Sequence, residues 1–77
     1  MELNDFIKHF AEQFDETDEN VFTPDTNFRE LDEWSSLISL SIIAMVDEEY
    51  NVEINGEDFR QATTISDLYE VVKSKIK

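Results

Sequence analysis

The sequence predicts an all-α domain: a small bundle of three main helices plus one short helix, with a long loop between the first two. Three observations carry this. Apolar residues recur at helical spacing in three separate segments, no stretch shows the alternation of a half-buried strand or a hairpin turn, and no internal repeat occurs. The 77 residues are expected to form one domain, 1–77, near the size at which a single core struggles to offset chain entropy.

Leu3, Phe6, Ile7, Phe10 and Phe14 share one helical face, so a first amphipathic helix is predicted over residues 3–14. The run Asp15-Glu16-Thr17-Asp18-Glu19-Asn20 has no periodicity and stops it. From there to Ser35 a long loop is predicted, containing the only proline, Pro24, with Val21, Phe22, Phe28, Leu31 and Trp34 as buried pins. A loop of that length in so small a domain is more often functional, or wrapped over the core, than slack.

Ser35 and Ser36 offer an N-cap for a second helix running to about Tyr50. On a helical wheel Ile38, Ile42, Ile43, Met45, Val46 and Tyr50 form a broad core arc. Leu37, Leu40 and Ala44 fall on the opposite arc, beside Ser41, Asp47 and Glu48. If the long loop covers that second stripe it is core; if not, it is a surface for a partner. Residues 51–56 are predicted as a turn around Val52 and Ile54, and 57–61 as a short helix carrying Phe59. Thr64 and Asp67 have the spacing of a capping box, with Asp replacing the usual Glu. The last helix follows, with Ile65, Leu68, Tyr69, Val72 and Ile76 in register and Lys73, Lys75 and Lys77 where the helix dipole favours cations.

Nineteen acidic against six basic residues give a formal charge of -13. Such a chain repels phosphate backbones and anionic lipid, so neither nucleic acid nor membrane is an expected partner; basic protein surfaces are. No Lys or Arg lies between Arg29 and Arg60, which suits steering toward such a surface. The charge also costs stability through self-repulsion, so divalent cations or moderate salt should stabilise the fold. The clustered carboxylates suit weak divalent-cation binding, although the ligand alternation, central Gly and terminal Glu of an EF-hand are missing. With 40% hydrophobic residues and six Phe the chain is expected to fold.

The absence of Cys excludes disulfides and thiolate metal sites. The longest apolar run, Ile42-Ile43-Ala44-Met45-Val46, is too short to span a bilayer, and the first residues lack a basic secretory segment. A soluble, cytoplasmic monomer is expected. His9, the lone histidine, falls off the Phe6–Phe10 face and is read as surface. With no Gly-x-Ser-x-Gly elbow and no acid–base constellation, a serine hydrolase is not supported.

The chemistry therefore centres on Ser36, in the run Asp32-Glu33-Trp34-Ser35-Ser36-Leu37, where an acidic loop gives way to an apolar helix. A hydroxyl there serves either as a helix cap or as an accessible attachment point for a phosphate-linked group, which the unpaired N–H groups and dipole of a helix start would favour. Ser35 competes for both roles.

The order of helix, long loop, Ser-Leu helix start, short third helix and capped last helix resembles the acyl carrier protein family over essentially the whole chain. The stretch Asp47-Glu48-Glu49-Tyr50-Asn51-Val52-Glu53-Ile54 is similar to that family's acidic helix end and turn, and Thr63-Thr64-Ile65 to its entry into the last helix. The resemblance implies a carrier rather than an enzyme. In that family 4'-phosphopantetheine is attached covalently to the serine of an Asp-Ser-Leu motif, here Ser35-Ser36-Leu37, which makes Ser36 the attachment candidate. An acyl or aminoacyl group would be held as a thioester. The partners implied are a phosphopantetheinyl transferase, a loading ligase or transferase, and downstream biosynthetic enzymes with basic docking surfaces. Leu37, Leu40, Ala44, Asp47 and Glu48 are the candidate docking residues.

Ser35 replaces the motif aspartate. Ile38, Ser39 and Ser41 occupy positions often acidic in fatty-acid-synthesis carriers, and Trp34 stands where those carriers commonly have a small residue. These departures point to a specialised carrier of one biosynthetic pathway, whether for fatty acyl, polyketide or other cargo. They also keep open an unmodified acidic interaction module, such as a carrier-fold subunit or a nucleic-acid mimic.

Overall fold

One helical turn separates Phe6 from Phe10, and both are fully buried on helix α1, Leu3–Ala11, in a computed structural model that describes residues 2–76. Helix α2 is Ser36–Tyr50, the short α3 is Gly56–Gln61 and α4 is Ile65–Lys75. Among the described residues there is no strand, only an isolated antiparallel bridge between Asn27 and Thr64. The fold is thus all-α, with α1 packed on α2 and α4, and α3 on α4.

The core follows the predicted faces. Phe6, Phe10 and Phe28 meet Ile42 and Val46 of α2 and Ile65, Leu68 and Val72 of α4, all fully excluded from solvent. Asn51, in the left-handed conformation at φ 56°, ends α2 and donates its N–H to Asp47, a role Asn tolerates better than most residues. Thr64 and Asp67 form the expected capping box, each side chain accepting from the other's backbone N–H. A second box was not foreseen: Asn55 and Asp58 cap α3 in the same reciprocal way.

The long loop wraps the bundle and is built from two short 3-10 turns, Glu19–Val21 and Phe28–Glu30. Its carbonyls at Thr26 and Pro24 accept the N–H groups of Ile65 and Ser66, satisfying donors that the first turn of α4 cannot pair internally. Arg29 reaches across to α3, its guanidinium donating to the carbonyls of Phe59 at 2.9 Å and Ala62 at 2.6 Å. A cation there complements the negative end of the helix dipole.

Some expectations are corrected. Helix α1 ends at Ala11 rather than residue 14: Gln13 and Phe14 donate to carbonyls three residues back, a tightened turn that lets Phe14 stack on Phe10 and meet Phe22 and Trp34. Val21 is not a pin. It lies 43% exposed, while its neighbour Phe22 enters the core. Ile76 falls one residue past α4 and is exposed. His9 is not a free surface residue: its Nδ1 is hydrogen-bonded to the Tyr50 hydroxyl at 2.8 Å and its Nε2 lies 3.5 Å from the Glu49 carboxylate, joining α1 to α2. Burial, with the nearby Asp5 and Glu49 charges, pushes the Tyr50 hydroxyl pKa up. Lys77 lies outside the described residues.

Candidate functional site

Two adjacent serines divide the start of α2 between them. Ser35 is extended, at φ -157°, and its Oγ accepts the N–H of Ile38 at 3.2 Å; its carbonyl accepts the N–H of Ser39. It is the N-cap. Ser36 is the first helical residue, exposed, and its hydroxyl has no hydrogen-bond partner among the described residues. Beyond the helix ladder, the Ser36 carbonyl accepts from the Ser39 hydroxyl at 2.7 Å. The N–H groups of Ser36 and Leu37 lie in the first turn, where helix geometry leaves donors without an internal carbonyl.

This arrangement fits an anionic group on the Ser36 Oγ. The first turn of α2 holds no acidic residue. The nearest preceding carboxylate on a half-buried residue, Glu33, is engaged away from the helix start: it accepts from the backbone N–H groups of Asp15 and Glu16 and from the Thr17 hydroxyl. The Thr17 hydroxyl first, and then those backbone donors, hold the Glu33 carboxyl below its ordinary pKa. Sequence inspection had no means of finding this tie, because its partners lie 16 to 18 residues away.

The second stripe of α2 is not covered by the loop. Leu37 is 73% exposed and Leu40 61%, and Ala44, Asp47 and Glu48 are exposed along the same helix. Single exposed apolar residues need no explanation, but three in line beside an accessible serine form a contiguous patch. Its chemistry is graded. The first two turns offer Leu37, Leu40, Ser39 and Ser41, and negative charge begins only at Asp47.

Among the described residues, no three His, Asp or Glu side chains are grouped so as to hold a metal ion. Nor is any helix there long and apolar enough to cross a membrane. A protein-family model described as a phosphopantetheine attachment site matches residues 4–72. No curated protein and no solved structure matches the chain.

Proposed function

Because this chain belongs to the phosphopantetheine attachment site family, whose model spans residues 4–72, we propose that Ser36 is its attachment residue and that the exposed stripe of α2 is its docking face. Domains of this family hold 4'-phosphopantetheine covalently and are carriers, not catalysts. The bound arm supplies a terminal thiol on which an acyl or aminoacyl group rides as a thioester.

The division of labour between the serines carries the assignment: the Ser35 hydroxyl is spent on the cap, whereas the Ser36 hydroxyl is exposed and unengaged one residue later. Attack of the Ser36 Oγ on a diphosphate-linked donor of the arm would form the serine phosphodiester as the donor's P–O–P bond breaks, its nucleotide phosphate leaves and the hydroxyl proton passes to the transferase. Among the described residues this would break no hydrogen bond of the fold. The Ser36 and Leu37 N–H groups and the dipole of α2 would offset the added negative charge. Leu37 and Leu40 would give a transferase or loading ligase its apolar contact, and Asp47 and Glu48 would guide a basic surface toward it. The sparse charge on the first turns of α2 supports a specialised pathway with its own partner enzymes, in the cytoplasm.

Intact mass after co-expression with a broad-specificity phosphopantetheinyl transferase tests this. The wild-type protein and Ser35→Ala should gain the arm and Ser36→Ala should not. A wild-type protein that gains nothing would favour the unmodified interaction module that Ser35, standing in place of an aspartate, keeps open.

A further inference from the structure

Trp34 sits two residues before Ser36 and, partly buried, packs its indole on the core. Its ring centroid lies 5.0 Å from Phe28, 5.7 Å from Phe59 and 6.4 Å from Phe14. Phe28 and Phe59 meet edge-on at 6.0 Å, and Phe14 continues the series to Phe10 and Phe22. The rings that touch Trp34 come from the turn after α1, the long loop and α3, and they converge where α2 begins. Phe28 is fully buried, and Phe14 and Phe59 nearly so.

An apolar group on a flexible arm gains by leaving water, and the nearest large apolar volume is the bundle core. Entry from the Ser36 end requires Trp34 or Phe59 to move, and close-packed interiors yield such space only at a cost. Inside the bundle no polar head group is awaited either: among the described residues every buried side-chain nitrogen and oxygen has a hydrogen-bond partner. Another apolar surface within an arm's reach is an open groove of about 320 Å³ beside α2. Ile43, Ala44 and Ile54 line it, with Asp47, Glu53 and Asn55 at its edge. Its carboxylates and openness make it a poor shelter for a long hydrocarbon.

We propose that Trp34, with Phe59 behind it, determines the cargo class by closing the core to the arm, so that this carrier serves short or polar acyl or aminoacyl groups that remain in solvent. This rests on the Ser36 reading, but its test needs no enzymatic loading. The chain has no Cys, so Ser36→Cys provides a single thiol, and Trp34 is the only Trp. That thiol is alkylated with bromoacetamide arms of pantetheine length ending in acetyl, octanoyl or dodecanoyl. The Ser36→Cys protein should show one melting temperature and one Trp34 emission maximum with all three arms. Adding Trp34→Ala should make the melting temperature climb with chain length, because each methylene that becomes buried is worth about fourfold in the folding equilibrium. Phe59→Leu, which keeps the Trp34 reporter, serves the same purpose if Trp34→Ala does not fold. A melting temperature that climbs with chain length in the Ser36→Cys protein overturns the proposal. A shift in Trp34 emission would then place the chain in the core, and a constant emission in the α2 groove. Variants that gain no chain-length dependence also overturn it. Failure of the Ser36 reading would show separately, as a missing mass gain in the transferase experiment.

Discussion

Glu33 accepts the backbone N–H of Asp15 at 2.8 Å, so the two ends of the long loop are tied together three residues before Ser36. The Glu16 N–H at 3.1 Å and the Thr17 hydroxyl at 2.8 Å complete the clasp. Its strength depends on charge. The Glu33 pKa in the folded protein is held below the ordinary 4.5, so the stabilisation is fully present above that value and is lost as pH falls through the lower, folded value. The difference in melting temperature between wild type and Glu33→Gln should therefore be constant near neutrality and shrink toward zero as pH falls below 4.5 and through the lower, folded value. Taking the difference removes the opposing effect of protonating the other carboxylates, which relieves self-repulsion. A difference that persists unchanged in acid would show that the clasp does not need the carboxylate charge.

The two serines should separate stability from modification. Ser35→Ala removes a cap worth about 1 kcal/mol, which in a domain of this size lowers the melting temperature by roughly 4–8 °C. Ser36→Ala removes a hydroxyl that bonds to none of the described residues and should melt like wild type. Circular dichroism melts beside the mass experiment would show one variant weakened yet loaded and the other intact yet empty. The reverse pattern would exchange the roles given to the two residues.

The starts of α2 and α4 were legible because capping and periodicity are local signals: Ser35, the Ile42 and Val46 face, and the Thr64–Asp67 box each lie within a turn of their partners. The same locality explains the misses. Phe14 continues the apolar spacing of α1, but its ring serves Phe22 and Trp34 rather than the helix, so the pattern ran past the backbone. His9 and Tyr50 are 41 residues apart, and Arg29 and Ala62 are 33 apart. Nothing in either neighbourhood announces those partners. Exposure of Leu37 and Leu40 was undecidable from the sequence for a related reason: it depends on where a 3-10-turned loop runs, and the loop turns toward α4 instead.

The charge of -13 is poorly compensated, with Arg60–Glu57 and Lys75–Asp58 as the Lys and Arg ion pairs among the described residues. Salt should therefore raise the melting temperature by screening repulsion over a distance of about 10 Å or less. Because no metal-holding cluster forms among the described residues, magnesium chloride and sodium chloride should act equally at matched ionic strength. Calorimetry or circular dichroism melts in the two salts decide the point. A clear excess for magnesium would reveal a cation site among the acidic side chains.

Docking gives the sharpest contrast between two faces of one helix. Leu40 is largely exposed, so Leu40→Arg should barely change folding. A charge at the centre of a small apolar contact, facing a basic enzyme, should nevertheless slow transferase loading by roughly tenfold or more. Asp47→Lys and Glu48→Lys lie at the edge of that contact and should act more mildly, chiefly on association rate, with an effect that shrinks as salt rises. Ile42 is fully buried on the other face, and Ile42→Ala should lower stability by about 2–5 kcal/mol through the cavity it leaves, while the folded fraction loads at a normal rate. Loading kinetics with a purified transferase at two ionic strengths, set beside melts of each variant, separate these cases. If Leu40→Arg loads at the wild-type rate, the transferase does not read this stripe, and its exposure must serve another partner or none.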